Sequence, residues 1–455
     1  MSKKYSHWEI PSSVDLEGYL KKHPPLFKYK IDYFYHIIEY ICIGMEMEDL
    51  DQNAGFINMS STRLQKVVHN YKQYLDHLLE HEFIRTDMEY IVGEKCKGYV
   101  LGKHDFHKAN VKYVEIKSSV VKKNRSKALK DHRAKLANTE INYPHLTRWF
   151  NKSLKIDVKG ATNKVESIFP EQTGGIRGTI IGMASDKVKR YKAIYSIQKF
   201  DKQDFYYSVD LNVGRFHTNL TNIKSEIRNF ITYDGLKLVN VDVKNSQPLF
   251  STLLFNKDFY TEKKGQHINI FNIPTSFSLL SSNSFSYSST IIMLVKTLQK
   301  SDLQEFDNYF EMVNSGEFYK KISDLVFPSR IFNKKSIKKL IFTIFFSNNR
   351  FIGQSKAKDK KVFSKKLPAV YNLFKAIKVK NHRALAHILQ RIESIVIIEK
   401  VVKRISVEKP DLPIFTIHDS VATTIGNEDY VASIIEEEVY KLTGLNARLG
   451  MEYWK

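Results

Sequence analysis

Cysteine is scarce in this chain of 455 residues, which contains only Cys42 and Cys96. Two cysteines exclude a disulfide framework and are too few for a zinc site built from thiolates. Long apolar runs are also missing, because no stretch approaches the ~20 residues that a membrane span needs. The amino terminus lacks the apolar core of a secretory signal. The sequence therefore predicts a soluble, cytoplasmic protein.

Acidic residues are few relative to basic ones. The chain has 71 lysines and arginines against 49 aspartates and glutamates, which gives a formal net charge of +22 at pH 7. Such an excess attracts polyanions, either nucleic acid or an anionic membrane surface. We favour nucleic acid and predict no membrane partner. Alternatively, the positive charge reflects only a lysine-rich proteome and has no functional meaning. The length suits two or three domains with substantial cores.

Two apolar segments each end on an aspartate. The segment LKLVNVD ends at Asp242, and the segment PIFTIHDS is apolar up to Ile417 and continues with His418, Asp419 and Ser420. Both read as buried strands. Neighbouring strands would place the two carboxylates side by side, where they can hold two Mg²⁺ ions ~3.5–4 Å apart for phosphoryl transfer. Each aspartate could instead be a turn residue or a helix N-cap.

The amino-terminal region has the order of elements of a winged-helix module. Residues 26–45 predict an amphipathic helix, and Ser60 or Ser61 can cap a second helical segment. Short apolar runs beginning at Phe83 and Gly98 then predict a hairpin. Such a module binds duplex DNA through its second helix, and the same shape also serves as a platform for a protein partner.

A strongly basic segment spans residues 118–148. Its lysines and arginines are Lys122, Lys123, Arg125, Lys127, Lys130, Arg133 and Lys135. We interpret the segment as a surface that follows a nucleic-acid backbone, with a solvated helix face as the alternative. Residues 174–178 (GGIRG) predict a flexible join, and the serine-rich residues 276–290 predict a surface insertion.

The segment KKSIKKLIFTIFF predicts a helix with a functional face. Lys334, Lys338, Phe342 and Phe346 are four residues apart and therefore share one face. The cationic end of this stripe can hold phosphate oxygens, and the aromatic end can stack on a base. Lys339 takes the place of Lys338 if the register shifts by one residue. An amphipathic helix with solvated lysines is the alternative.

The order of these motifs resembles that of family A DNA polymerases and of single-subunit RNA polymerases of the phage and mitochondrial type. The resemblance covers residues 206–455. Asp242 matches the first catalytic aspartate of the family, and Asp419 matches the second. The resemblance implies that both bind metal together with the backbone carbonyl of Val243. It also implies that His418 orients the primer terminus.

The helix around Lys338 resembles the fingers helix of the same family. Lys338 stands where the family has a lysine, and Phe346 stands eight positions later, where it has an aromatic residue. Lys334 replaces an arginine, and Ser347 replaces a glycine. The resemblance implies that Lys338 neutralises the triphosphate, that Lys334 and Phe342 assist in binding the nucleotide, and that Phe346 stacks on the nascent base pair.

A further resemblance concerns the grip on the primer-template. The segment GRFHTNLTN is similar to the family segment in which a Gly-Arg dipeptide precedes small polar residues that contact the nucleic-acid backbone. The matching residues are Arg215, His217, Thr218, Asn219 and Asn222. Gln390 resembles a glutamine near the primer terminus, although Glu393 and Ser394 replace small residues of the family.

The residues that would select the sugar disagree. Gln247 stands where DNA polymerases of the family have a glutamate that excludes a 2′-hydroxyl, and it is nearly isosteric with glutamate. Phe346 lacks the hydroxyl of the tyrosine found in the RNA polymerase branch. Both favour deoxynucleotides. Ser420, by contrast, completes the His-Asp-Ser triplet of the RNA polymerases, so the product stays open.

The sequence predicts an α+β fold. It combines a right-hand polymerase palm and fingers, built on an antiparallel palm sheet, with a mostly helical winged-helix-like module. The predicted domains are residues 1–105 for the module, 106–205 for a basic linker or reduced thumb-like region, and 206–455 for palm and fingers, with the fingers at about 255–385.

The resemblance implies a template-directed nucleotidyltransferase. Our first expectation is a DNA polymerase of family A type without a proofreading exonuclease. The alternatives are a single-subunit RNA polymerase or primase, a template-independent transferase, and a non-catalytic DNA-binding replication initiator. The expected partners are a primer-template and a dNTP or rNTP, with two Mg²⁺ ions, for which Mn²⁺ can substitute. The expected context is DNA replication in a mobile element, with a possible protein partner at the amino-terminal module.

Overall fold

The structure is a computed structural model that describes residues 6–47, 55–90, 96–102, 111–170, 186–261, 267–271, 273, 293, 295 and 300–455. The predicted join at 174–178 and the predicted insertion at 276–290 lie outside these residues. The chain divides into two compact units. Unit 1 comprises Met1–Ser208, Thr218–Gly235 and Lys455, and unit 2 comprises Val209–His217 and Leu236–Trp454. The predicted α+β class is confirmed, and the three-domain division stays a prediction.

The first part of unit 1 contains the predicted helices and the predicted pair of strands β3 and β4, but it has further elements, and the second predicted helix is divided into two. Its elements are β1 His7–Pro11, α1 Leu16–Lys22, α2 Ile31–Met47, β2 Ile57–Asn58, α3 Ser61–Gln65, α4 Tyr71–Glu80, β3 Ile84–Thr86, β4 Gly98–Leu101 and β5 Val111–Glu115. Strands β2, β4 and β3 form an antiparallel sheet in that order, and β1 pairs with β5. Ser60 caps α3, because its side chain accepts from the amide of Arg63.

Buried charges hold this part of unit 1 together. The Asp32 carboxylate accepts from Trp8 Nε1 at 3.0 Å and from the Ser118 amide at 2.6 Å. Arg125 Nη2 donates to Glu39 Oε1 at 2.8 Å, and both residues are buried. Arg125 is therefore not part of the basic surface that the sequence predicts, because its guanidinium is the internal partner of Glu39.

The rest of unit 1 is mainly helical. The elements of this stretch are α5 Ser119–Asn142, α6 Pro144–Thr147, β6 Leu154–Ile156, α7 Val158–Ile168, α8 Asp186–Asp201, β7 Tyr207–Val209, β8 Phe216–Thr218, α9 Asn219–Asn222, α10 Ser225–Arg228 and β9 Ile231–Tyr233. The strands β7 and β8 contain the residues at which the chain passes from one unit to the other. Strands β6 and β9 pair antiparallel. Most of the predicted basic segment forms the single long helix α5, which Ser118 caps.

Unit 2 is built around a four-stranded antiparallel sheet. Its elements are β10 Leu236–Val243, α11 Ser246–Ser251, α12 Lys300–Asn314, α13 Phe318–Val326, α14 Lys334–Phe346, α15 Lys358–Lys366, α16 Pro368–Ile377, α17 Ala384–Ser394, α18 Lys403–Glu408, β11 Ile414–Ile417, β12 Ser420–Thr424, α19 Glu428–Thr443 and β13 Leu449–Tyr453. The strand order is β11-β12-β10-β13. Residues 238–241 of β10 are buried on both faces, which explains their nearly continuous apolar run.

A segment of π-helix, Ile395–Val402, joins α17 to α18 without a break. Segments of π-helix are rare in proteins, and those that occur often lie at functional sites. None of the helices in the described ranges combines the length and the apolar character that crossing a membrane requires.

Candidate active site

The two aspartates singled out in the sequence lie on neighbouring strands. Asp242, near the end of β10, pairs with Ser420 at the start of β12. His418 and Asp419 form the two-residue connection between β11 and β12, since Ile417 pairs with Ser420. The amide of Val243 approaches the carbonyl oxygen of Asp419 at 3.5 Å. The pairing therefore brings both acids to one edge of the sheet of unit 2.

The electrostatics of this edge are unfavourable for a protein without a bound cation. Burial, followed by repulsion from the Asp419 carboxylate, raises the pKa of Asp242 to about 7. The positive charges of Lys338 and Lys244 oppose this rise. Two half-buried carboxylates close together favour either a shared proton or a cation between them, so this pair has the character of a cation site.

The backbone beside the acids is held in an uncommon conformation. His418 has a φ of 58°, and Asn245, the N-cap of α11, has a φ of 57°. Residues other than glycine seldom adopt such angles, and those that do concentrate at sites where function dictates the geometry. His418 directly precedes Asp419, and Asn245 lies three positions after Asp242. The chain therefore turns sharply beside each acid.

A serine connects Asp419 to a third, fully buried acid. Ser246 Oγ donates to Asp419 Oδ2 at 2.5 Å and lies 3.3 Å from Glu393 Oε2. Glu393 is 1% exposed, and Arg215 donates to its Oε1 from Nε at 3.0 Å and from Nη2 at 2.5 Å. The resulting chain Arg215–Glu393–Ser246–Asp419 fixes one oxygen of the candidate metal ligand.

Glu393 and Ser246 were missed as functional residues in the sequence. Burial raises the pKa of Glu393 to about 7, although the guanidinium of Arg215 opposes the rise. The signal in the sequence was the single acid at position 393 between the apolar residues Ile392 and Ile395, which needs a buried partner. Ser246 gave no such signal, because serines are common at the first turn of a helix.

The predicted helix with a cationic and aromatic face forms as α14. Its buried face consists of Ile337, Leu340, Ile341, Ile344 and Phe345. On the other side, the Lys338 ammonium lies 5.6 Å from the centre of the Phe342 ring, and the Phe342 ring stacks on that of Phe346 at 5.5 Å. Lys334 and Lys338 are exposed. Lys338, rather than Lys339, is the lysine whose charge acts on Asp242.

Two buried lysines hold the carboxyl end of α14. Lys378 Nζ donates to the carbonyl oxygen of Ile344 at 2.5 Å and to that of Ser347 at 3.1 Å. Lys360 Nζ donates to Ser347 Oγ at 2.8 Å. Burial lowers the pKa of Lys360 to about 8 and that of Lys378 to about 7. These contacts satisfy terminal carbonyls of the helix and fix the end that carries Phe346.

Tyr319 also interacts electrostatically with the two carboxylates, and no pattern in the sequence singles it out. Burial, with smaller contributions from Asp419 and Asp242, raises the pKa of Tyr319 to about 12. Its hydroxyl therefore remains protonated at neutral pH and is available as a hydrogen-bond donor on the side of unit 2 that carries the acids.

The two glutamines of the prediction lie on helices of unit 2. Gln247 is in the first turn of α11, and its Oε1 is buried without a hydrogen-bond partner in the described part of the chain. Gln390 is half-buried on α17, one turn before Glu393, and its carbonyl accepts from Ser394. A sugar contact for Gln247 and a primer contact for Gln390 stay predictions, as does a metal contact from the carbonyl of Val243.

The Gly-Arg dipeptide shapes the turn that delivers Arg215 to Glu393. Gly214 has a φ of +72°, and a Cβ there would lie 2.0 Å from Arg391 Nη1, so both the backbone and the neighbour favour glycine. The Arg215 side chain is 17% exposed. Its guanidinium is thus held chiefly by an internal acid, and a contact with a phosphate stays a prediction.

The small polar residues of unit 1 that follow face inward, which corrects the sequence prediction. Thr218 is 1% exposed and caps α9, and Asn219 is 5% exposed and accepts from the amide of Tyr206 at 2.8 Å. Asn222 Nδ2 donates to the hydroxyl of Tyr206. Because these polar atoms are engaged inside unit 1, Thr218 and Asn219 hold the loop at Tyr206 and are not presented to a nucleic acid.

His217, which belongs to unit 2, is half-buried, and burial lowers its pKa. It is therefore neutral at physiological pH. A neutral imidazole can still donate a hydrogen bond to a phosphate oxygen but supplies no charge. Its contact with nucleic acid stays a prediction.

Comparison with known proteins adds little to this description. No protein-family model matches the chain, and no curated protein matches it in sequence. Among solved structures, the chain is similar to the POL domain of Pol1 from M. smegmatis, solved in complex with DNA primer-template and dNTP. The identity is 10%, 68% of each chain is covered, and the TM-score is 0.25.

Proposed function

We propose that the protein is a template-directed nucleotidyltransferase of the polymerase type, and that Asp242 and Asp419 bind its divalent metal ions. The observation that carries the proposal is the pair of acids on adjacent strands, with Lys338 of α14 close enough to act on the charge of Asp242. A carboxylate pair beside a cationic and aromatic helix face offers separate positions for metal, phosphate and base.

The donor set fits a hard cation such as Mg²⁺, or Mn²⁺ in its place. Two carboxylates with a raised pKa on Asp242 supply oxygen ligands whose repulsion a divalent ion relieves. When bound, two such ions would activate a primer hydroxyl and neutralise charge on the phosphoryl oxygens and the leaving pyrophosphate. In that arrangement Ser246 would keep Asp419 oriented, because its hydroxyl donates to Oδ2.

The other residues of unit 2 would position the nucleotide. The ammonium of Lys338 would contact the triphosphate, with Lys334 at the outer end of the same face. The stacked rings of Phe342 and Phe346 offer an apolar plane for the base pair. The reaction joins a primer 3′-oxygen to the α-phosphorus of the triphosphate and releases pyrophosphate, so catalysis consists of positioning and charge stabilisation.

We propose DNA synthesis first, by a family A type enzyme that extends a primer-template without proofreading. RNA synthesis is the second candidate, and one observation favours it. The buried Oε1 of Gln247 has no partner within the described residues, and such an acceptor can receive a hydrogen bond from a sugar hydroxyl, including a 2′-hydroxyl. Gln247 could thus bind a ribonucleotide instead of excluding it.

The test is extension of a 5′-labelled primer on a DNA template with Mg²⁺ and either dNTPs or rNTPs. Asp242→Asn and Asp419→Asn are the inactive variants, and Asp411→Asn, at an exposed position of the same unit, is the matched control. We expect incorporation directed by the template, lost by at least about 10³-fold in the two variants and unchanged in the control.

The outcomes separate the candidates. Extension by dNTPs supports the first candidate, and extension by rNTPs alone supports the second. Incorporation that ignores the template base would point to a terminal transferase. Salt-sensitive binding to DNA with no incorporation under Mg²⁺ or Mn²⁺, on primed and unprimed templates, would contradict the enzyme and leave a DNA-binding initiator.

A further inference from the structure

A group of histidines with one glutamate lies in unit 1, at the carboxyl end of α4 and the end of α1. His77, Glu80 and His81 each offer one ligand atom, and these atoms all lie within 4.8 Å of one another. The spacing explains this proximity, because residues three and four positions apart share one face of a helix. Glu80 is the last residue of α4, and His81 is its C-cap.

One nitrogen of this group is buried and unsatisfied. His77 is 8% exposed, and its Nε2 has no hydrogen-bond partner among the described residues. A neutral imidazole that carries its proton on Nδ1 presents a lone pair at Nε2, and such a nitrogen can bind a metal ion.

The ring of His23 lies beside the group. The rings of His23 and His81 are 4.5 Å apart, centre to centre, and those of His77 and His81 are 4.7 Å apart. The carboxyl end of α4 also favours positive charge because of the helix dipole.

We propose that His77, Glu80 and His81, with His23 as the fourth ligand, form a binding site for Zn²⁺ or a similar transition-metal ion. Imidazole nitrogens and one carboxylate oxygen are a typical tetrahedral set for zinc. Tetrahedral ligands lie about 3.3 Å apart, so small side-chain rotations would bring the ligand atoms of His77, Glu80 and His81 into place, and His23 would turn its ring toward them. The ion would join the end of α1 to the end of α4, which are both in unit 1.

This site is separate from the carboxylate pair in its chemistry. Asp242 and Asp419 supply oxygen only and favour Mg²⁺, whereas the histidine group favours a softer ion. The role that follows is structural: the ion would stabilise the winged-helix-like arrangement of unit 1. The proposal does not depend on the function proposed for unit 2.

The test is zinc binding by the full-length chain without an affinity tag, in excess Mg²⁺ to occupy oxygen-only sites. A chromophoric zinc chelator measures stoichiometry and affinity by competition, and Co²⁺ reports geometry through its visible absorption. The variants are Glu80→Gln, His81→Gln and His23→Gln. The matched control is His69→Gln, an exposed histidine outside the group. Circular dichroism verifies that each variant is folded.

We expect one Zn²⁺ per chain, an absorption typical of tetrahedral Co²⁺, and a rise in the thermal midpoint of unfolding when zinc is added. His81→Gln and Glu80→Gln should weaken binding by at least about tenfold, and His69→Gln should not. Binding of zinc that is equal in the wild type and in His81→Gln and Glu80→Gln, or no binding at all, would overturn the proposal. Loss of binding only in Asp242→Asn would assign the ion to unit 2 and overturn it equally.

Discussion

Unit 1 pairs the buried acids Glu39 and Glu9 with cations, whereas unit 2 contains, besides such a pair, two acids on adjacent strands. In unit 1, the Glu39 carboxylate pairs with the Arg125 guanidinium, and Glu9 Oε2 accepts from the Tyr195 hydroxyl at 2.9 Å and lies 3.1 Å from Lys199 Nζ. In unit 2, two acids, Asp242 and Asp419, are brought together on adjacent strands, and burial and mutual repulsion raise the pKa of Asp242 to about 7.

The difference indicates which charges serve the fold and which serve a ligand. A buried acid with a matched cation is complete without any other molecule. A pair of like charges lowers the stability of the folded chain, so its presence calls for a bound cation. The same reasoning separates two acids of unit 2. Glu393 is paired with the Arg215 guanidinium and therefore supports the fold. Asp419 accepts a hydrogen bond from Ser246 but has no cation among its hydrogen-bond partners in the described part of the chain.

Breaking a matched pair should have the largest effect on stability. Glu39→Gln leaves the guanidinium of Arg125 buried without a countercharge, so we expect the free energy of unfolding to fall by about 3 kcal/mol. Nucleotide incorporation per folded molecule should stay within about twofold, since Glu39 belongs to unit 1. Chemical denaturation and primer extension measure the two quantities.

Glu115→Gln is the control for that prediction. Glu115 pairs with Lys122 at 3.2 Å, but the Glu115 side chain is 70% exposed, so its loss should change the free energy of unfolding by less than about 1 kcal/mol. Equal effects of the two substitutions would mean that the pair of Glu39 and Arg125 is no more important than a surface ion pair.

Removing the countercharge of Asp242 should impair nucleotide binding. Lys338→Ala takes away the ammonium whose charge acts on Asp242 and which, in our proposal, contacts the triphosphate. We expect the KM for the nucleotide to rise by about 10- to 100-fold, with the thermal midpoint nearly unchanged because Lys338 is exposed. Steady-state incorporation measures KM. Lys339→Ala is the matched control, and an equal rise there would remove the special position of Lys338.

Loss of the serine hydroxyl should loosen Asp419. Ser246→Ala removes the donor to Oδ2, so we expect about a tenfold lower kcat and a higher Mg²⁺ concentration for half-maximal rate. Ser246→Thr should restore most of both. Ser251→Ala, at a buried serine of the same helix that donates to the carbonyl of Pro248, serves as the control. A lower stability with an unchanged Mg²⁺ requirement in Ser246→Ala would assign Ser246 to packing alone.

The smallest effect expected is a gain in stability. Asp242→Asn removes the repulsion with Asp419, so without metal the free energy of unfolding should rise by about 1 kcal/mol, and the thermal midpoint by a few degrees. An acid whose pKa is raised by folding destabilises the protein at high pH. The gain should therefore be full above pH 7 and should disappear as the pH falls to about 4. A loss of stability at pH 8 would contradict the charge conflict.

Local patterns in the sequence predicted the parts of the site that lie within one element. The strand that ends at Asp242, the strand before Asp419 and the helix with Lys338, Phe342 and Phe346 each have their own periodicity. The neighbouring position of the two strands followed from a resemblance, and the pairing of Asp242 with Ser420 confirms that they are adjacent.

Contacts between distant segments were beyond prediction from local patterns. Ser246 and Glu393 are 147 positions apart, and Arg215 and Glu393 are 178 apart. Lys378 lies 34 positions from the carbonyl of Ile344 that it caps. A polar residue in such a contact has the same local sequence as an exposed one. Thr218 and Asn219 were misread as contacts to nucleic acid for that reason, because only the fold reveals that they are buried.

The most direct test of the central claim is the number of Mn²⁺ ions bound at the carboxylate pair. Electron paramagnetic resonance of free Mn²⁺ gives this number for the full-length chain, in the presence of a nucleoside triphosphate. His81→Gln is used as the background, so that the histidine group does not contribute. We expect this protein to bind two Mn²⁺ ions at the carboxylate pair. Adding Asp242→Asn and Asp419→Asn should abolish this binding. Equal binding with and without the two aspartates would contradict the assignment of the metal site and the proposed reaction with it.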